Sequence, residues 1–410
     1  MKNTHNLESV KKSNRIATLG IIKENDTISR QELAKITGLT PAAITGIVRE
    51  LVELGFVKEV GFGESSGGRR PVRLRFQPDA GYVIGAEITR NNTTIGIVDL
   101  KAQAVKINET FIDMNDPETG ISNLVLKIEE LVREVSMPWQ KICGIGFAFP
   151  GLLDLNTQII KRSPSLGSVW RNIPVRDMFA GKFNVPVYIE HNPNAAALAE
   201  YTLGRGKDTK HLAYVNLGAG FSAGIITDNK MIDGFQGHAG EIGHTVVVEN
   251  GPLCNCGNKG CLESLYSVTA LVQKANHELS LYRDEDKLKQ VWQEKGKVTI
   301  ADILLAARET GSYAWNLIRQ AGWYIGLVIA NVVNFYNPEI ICLGGILAEA
   351  GSVLMEPLLE SVHRHAFPEV ARDTKIEIST IGRNAAFYGA CLRVIDRIFT
   401  VEGPDNILFK

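Results

Sequence analysis

The 410-residue chain is 45% hydrophobic and 22% charged, ordinary globular usage, and its length predicts two to three domains. No run reaches the roughly 18 apolar residues of a membrane span, and MKNTHNLESVKKSN holds no signal-peptide core. We therefore expect a cytoplasmic protein with reduced cysteines and no membrane partner. The formal net charge is −1, yet residues 1–80 carry 13 Lys and Arg against 9 Asp and Glu, which turns the N-terminus toward an anion such as DNA.

From Leu7 to Lys23 apolar residues recur at helical spacing (Val10, Ile16, Leu19, Ile22), predicting a first helix. Ser29 followed by Glu32 opens a second, short helix with a capping box, its buried face drawn by Leu33 and Ile36. Gly38 supplies a turn. Thr40 then caps a third helix with Pro41 at its first position, and Ile44, Ile47, Val48, Leu51 and Leu54 form its apolar stripe before Gly55 ends it. This is a helix-turn-helix, whose second helix presents its N-terminal residues to base edges. Thr40, Pro41, Ala42, Ala43, Thr45 and Arg49 are the expected DNA-facing positions. FVKEVG and PVRLRF read as strands flanking GFGESSGGRR, a wing whose Arg69 and Arg70 would reach a phosphate backbone or minor groove.

From Gly81 onward strands alternate with helices, arguing an α/β architecture. YVIGAEI, TTIGIVDL and AVKINETFI look like a meander, SNLVLKIEELVREV an amphipathic helix, KICGIGFAFPG a buried strand. VPVYIEH, LAYVNLG and SAGIITD are further strands, and AGWYIGLVIANVVNFYNPEIICLGG is a long helix delivering another. VIGAEITRNNTTIGIVDL returns in related form as YVNLGAGFSAGIITDNK, predicting a duplicated, two-lobed body with a ligand cleft between the lobes. The polar stretch Ser280 to Lys297 reads as an exposed helix and loop.

Cys254, Cys256 and Cys261 cluster on a Gly- and Asn-rich loop, with His244 ten residues before the first. Three thiolates and an imidazole make a closed tetrahedral set, the arrangement of structural zinc. Disulfides are the rival reading, disfavoured by the reducing compartment and the odd count. Cys143, Cys342 and Cys391 lie in or beside apolar runs and read as small buried hydrophobes.

GEIGH at 240–244 and CNCGNKGCLE at 254–263 resemble the signature of the ROK family (repressors, open reading frames and sugar kinases), and the similarity covers nearly the whole chain. The winged N-terminus and SSGGRRP resemble the family's xylose- and N-acetylglucosamine-type repressors; its kinases lack that module. The resemblance implies a winged helix-turn-helix over 1–78 and an actin-like, sugar-kinase-like fold in two lobes. The first lobe would span 79–197, completed by a C-terminal helix over 386–410, and the second 198–385 with the zinc loop and an oligomerisation surface.

It also implies sugar contacts. Glu241 and His244 of GEIGH and Glu263 of the CLE ending would meet sugar hydroxyls, His244 also holding zinc. IEHNPNAAALAE resembles the segment in which the kinases carry an Asn-Asp pair, the Asp being the base that deprotonates the attacking hydroxyl. That pair also binds sugar; His191 and Asn192 occupy those positions and would contact the sugar, but an amide cannot act as base. Ser165 stands where another family Asn contacts sugar. Both phosphate loops depart from the kinase pattern: Glu87, Thr89 and Arg90 replace a DxGGT-like turn, and Ser222 and Ala223 replace glycines between Gly218 and Gly224.

The expectation is a sugar-responsive repressor of carbohydrate-utilisation genes with no catalytic residues. It would be a homodimer or homotetramer on a double-stranded, pseudo-palindromic operator. The effector is expected to be xylose, another aldose or a phosphorylated amino sugar. The rivals are a sugar kinase fused to a DNA-binding module and a regulator answering to a partner protein.

Overall fold

The computed structural model describes residues 7–63, 70–281 and 286–400. The chain opens with helices Leu7–Glu24, Arg30–Thr37 and Pro41–Glu53, and strands Ile28–Ser29, Val57–Phe62 and Val72–Phe76 form one small antiparallel sheet. Local chemistry explains these boundaries. The Ser29 hydroxyl accepts from Glu32 N at 3.2 Å while Glu32 Oε2 accepts from Ser29 N at 2.7 Å. Gly38 turns the chain at φ +70°, a left-handed conformation that costs a side-chain-bearing residue. Leu19, Ile22, Leu33, Ile44, Val48, Leu51 and Leu74 are fully buried between these elements, each contributing about 1.5–3 kcal/mol of transfer free energy.

The apolar stripe is shorter than the sequence predicts. Val10, Ile36 and Leu54 were expected to pack inward and are instead exposed. They sit in a first turn, a last turn and a C-cap, where a stripe runs past the neighbour that covers its middle.

Two five-stranded sheets follow. Edge to edge, the first runs Val187–His191, Ile142–Phe149, Tyr82–Ile88, Thr93–Asp99, Ala104–Thr110. The second runs Lys375–Ile378, Ile340–Gly344, Leu212–Leu217, Phe221–Thr227, Lys230–Met231. In each, the central strand pairs antiparallel with its hairpin partner and parallel with the strand beyond, so the related sequence stretches occupy matching places. Helix Pro117–Glu134 lays Ile121, Leu124, Ile128 and Leu131 into the first lobe's core, and helices Tyr313–Tyr336 and Ser352–His365 supply the second lobe's.

Helix Ala385–Ile398 returns to the first sheet, its Phe387 ring filling the space left by Gly85 and Gly96. Cys143, Cys342 and Cys391 are buried as expected, and burial pushes the Cys143 thiol up to about 11. Among its described residues the polar stretch after Ser280 is mostly exposed, as expected, with two exceptions. Helix Lys287–Lys295 buries Leu288 and Lys289, and Lys289 Nζ donates to Leu279 O at 2.6 Å. Among the described residues no helix is long and apolar enough to cross a membrane.

Candidate functional site

Thr40 caps the third helix with an extended backbone, its hydroxyl accepting from Ala43 N at 3.2 Å. Thr40, Pro41, Ala42, Ala43, Thr45 and Arg49 are all exposed, while Ile44, Val48 and Leu51 point inward. The predicted DNA-facing positions therefore share the open side of the helix. Thr45 Oγ1 donates to Pro41 O at 2.8 Å, and Arg49 lies 4.0 Å from Glu53, a loose, solvent-exposed pair that a phosphate can displace. Arg70 is exposed at the root of the wing strand; Arg69 lies outside the described residues.

In the second lobe the loop after Gly251 folds back on itself. Cys254 N donates to Asn258 O at 2.7 Å, and Val246 bridges to Cys261. This brings His244, Cys254, Cys256 and Cys261 together with ligand atoms within 4.8 Å of one another. Cys256 Sγ is 3.7 Å from Cys261 Sγ, and Cys254 Sγ is 3.6 Å from His244 Nδ1. A tetrahedral ion with metal–sulfur bonds of about 2.3 Å requires edges of about 3.8 Å, so the donor set fits. The same spacing is far outside a disulfide bond of about 2.05 Å, and all six cysteines are free thiols. His244 turns its other nitrogen, Nε2, toward Glu241 Oε2 at 3.7 Å. A carboxylate behind a metal-facing imidazole fixes the ring's tautomer and orientation.

Glu241 thus joins the metal loop to the expected sugar contacts. Gly240, at φ +88°, lets this segment approach the second sheet so closely that a Cβ would lie 1.8 Å from Ala223 O. Burial raises the Glu241 carboxyl above its ordinary range; Glu263 reinforces the rise and His244 opposes it, so the three side chains share one electrostatic environment. Glu263 Oε2 accepts from Phe221 N at 3.0 Å. This bond orients the carboxylate yet leaves it further lone pairs for hydroxyls. It also takes a backbone donor on the second glycine loop, one that a phosphate-binding loop would offer to nucleotide.

On the first-lobe side, strand Val187–His191 delivers His191 to the N-terminus of helix Asn192–Leu203. The His191 imidazole is buried and pushed down to about 4, by burial first and the neighbouring His238 second. Asn192 Nδ2 donates to Ile88 O at 3.1 Å, while its buried Oδ1 has no partner. His238 Nδ1 is likewise buried without a partner. Two such atoms are costly unless water or a ligand's hydroxyls complete them. Ser165 sits on the loop of a separate small sheet, its hydroxyl 3.4 Å from that of Ser163. Burial raises the Glu87 carboxyl to about 7, so near neutrality it is charged only in part.

His238, Asn194 and Asp233 stand outside the residues expected from the sequence. Asn194 Nδ2 donates to Asp233 Oδ1 at 3.3 Å, linking the helix after His191 to the second lobe. His238 lies inside GHAGEIGH and Asn194 inside IEHNPNAAALAE, so the motifs held them, but only the fold shows which polar atoms face each other.

Residues 12–58 match the winged helix-turn-helix DNA-binding family, and residues 83–397 match the ROK family. A xylose repressor of Caldicellulosiruptor bescii is 33% identical over 389 residues, covering 94% of this chain and 96% of that protein. The crystal structure of a ROK family transcriptional regulator, a homologue of the Escherichia coli Mlc protein, is similar with a TM-score of 0.81 at 27% identity, covering 98% of both chains. A Streptomyces griseus ROK glucokinase solved with glucose and AMPPNP reaches a TM-score of 0.65 at 26% identity, and covers 99% of that chain but 76% of this one. The chain belongs to the ROK family, and the winged helix-turn-helix at its N-terminus sets it among the family's DNA-binding transcriptional regulators.

Proposed function

We propose that the protein is a transcriptional repressor that releases its operator when an unphosphorylated aldose of the xylose type occupies the cleft. One observation carries the reading. A single chain joins an exposed, Thr40-capped recognition helix to a cleft where Glu241, His244 and Glu263 converge, while Asn192 stands where a kinase needs its base. Carboxylates suit vicinal hydroxyls and repel phosphate, which favours a neutral sugar. The similarity to a xylose repressor along 94% of the chain supports the same choice.

In this reading Glu241, His244, Glu263, His191 and Asn192 bind the sugar, His238 joins them, and Ser165 closes the rim. The four-ligand loop holds zinc through His244, Cys254, Cys256 and Cys261; when bound, the ion locks the loops bearing Glu241 and Glu263 and supplies no chemistry to the ligand. Arg69, Arg70 and the Thr40–Arg49 face meet the operator, with two copies of the chain placing two such faces on one duplex in the cytoplasm. Sugar shifts operator affinity only as far as it prefers one lobe arrangement over the other.

Phosphoryl transfer needs a base and open backbone donors around the phosphates. Asn192 lacks the first, and Glu263 on Phe221 N reduces the second. Incubation with ATP and a panel of aldoses should therefore show sugar binding by calorimetry without ADP release, in the wild type and in Asn192→Asp alike. Sustained ADP release by the wild type with any sugar would mean that the chain is a kinase.

A further inference from the structure

The end of strand Val187–His191 is tied to three parts of the molecule at once. Glu190 is buried at 4% exposure, and its Oε1 accepts from His191 N at 2.9 Å. Its Oε2 lies 3.2 Å from Arg393 Nε, on the C-terminal helix. Asn194 also bonds the Glu190 carboxylate and donates to Asp233 of the second lobe. A carboxylate this deep is costly without its cation, so Arg393 must follow wherever Glu190 moves.

The C-terminal helix is well seated to carry that movement. It presses against helix Asn192–Leu203 so closely that a Cβ on Gly389 would lie 1.7 Å from Ala195 O. Phe399, about 9 Å further along the helix axis from Arg393 at 1.5 Å per residue, meets the DNA-binding module. Its ring is 6.0 Å from that of Phe76, edge on, and Lys23 Nζ sits 4.3 Å from its centroid. Leu392, Ile395 and Ile398 share one buried cluster with Leu19, Ile22 and Phe76. Burial raises the carboxyl of Asp396, one turn after Arg393, while Lys23 and Arg393 both oppose that rise.

We propose that Glu190 and Arg393 are positioning residues that couple the cleft to the DNA-binding module. Their ion pair registers where His191 and the second lobe's Asp233 stand, and the C-terminal helix passes that position to Phe76 and Lys23. This rests on the cleft being the effector site.

Hydrogen exchange on the full-length protein tests the link without any ligand. Glu190→Gln and Arg393→Gln should raise exchange in helix Leu7–Glu24 and strand Val72–Phe76 by roughly two- to thirtyfold, the range for residues along a coupling network. Helix Tyr313–Tyr336 of the second lobe should be unaffected, and Arg393→Lys should lie nearer the wild type. Unchanged exchange at the module overturns the proposal, as does an equal rise in helix Tyr313–Tyr336, which would mark general destabilisation. In operator titrations with D-xylose as the probe, the ratio of operator Kd with and without sugar should fall toward one in Arg393→Gln. Coupling as strong as in the wild type also overturns the proposal. Failure of any aldose to bind the wild type would instead sink the effector reading, and the exchange result still decides the coupling.

Discussion

The metal-loop end of the cleft and the DNA-facing helix are built on opposite principles. Around Glu241 the polar groups are partly or wholly buried, few and mutually oriented: His244 between Cys254 and Glu241, Glu263 on Phe221 N, His191 beside His238. Along Thr40–Arg49 they are exposed, and Arg49 pairs only loosely with Glu53. Low dielectric makes each buried contact expensive to lose, whereas exposed cations act additively and are screened by salt. Changes in the first region should therefore be large and act together; changes in the second should be small and graded.

The largest effect is expected from Cys256→Ser. It removes one of four ligands, so elemental analysis should find bound metal lost, and sugar affinity should fall with it because the loops bearing Glu241 and Glu263 are released. Operator binding should survive, since the first module packs against the first lobe and the C-terminal helix and shares no buried cluster with the metal loop. Normal sugar affinity in metal-free protein would break the contrast.

Next comes the pH dependence of stability through His191. Its imidazole is pushed down to about 4 in the folded protein against an ordinary 6.5. Between those values the unfolded chain binds a proton that the folded chain refuses, so this contribution is complete above pH 6.5 and is lost as pH falls toward 4. The loss should reach a few kcal/mol in denaturant titrations and should be absent from His191→Asn.

Glu241→Gln should weaken sugar binding by about 1.5–3 kcal/mol, roughly ten- to hundredfold in Kd, as for a hydrogen bond to a charged group. Calorimetry with the metal-loaded protein measures it. At the small end, Arg70→Ala should reduce operator affinity only severalfold and lower the salt slope by about 1, with sugar affinity unchanged. A hundredfold loss that salt does not alter would place Arg70 in base readout and not on phosphate.

How far these regions were legible follows from how local they are. The Ser29–Glu32 box, the Thr40–Pro41 helix start and the His244/Cys254/Cys256/Cys261 set all lie within short stretches, so spacing alone draws them. The twin sheets were legible as a repeated strand–turn–strand pattern, though not the order of their parallel strands. The small sheet of Leu152–Asp154, Ile159–Arg162 and Arg171–Ile173 escaped, because strands of three or four residues are too short to show a period. So did the Glu190–Arg393 pair, whose members lie far apart in the chain and meet only when the C-terminal helix docks. Exposure of Ile36 and Leu54 escaped because periodicity marks a face of a helix and not the extent of what covers it.

On this reading a sugar held by the ROK lobes is reported on DNA by the winged module, with no chemistry between. Operator affinity of the full-length protein, measured by fluorescence anisotropy with a panel of sugars and without ATP, tests that claim most directly. A xylose-type aldose should weaken binding by about five- to 150-fold, the usual span of allosteric coupling. Operator affinity indifferent to every sugar, or responsive only once ATP is added, would contradict it.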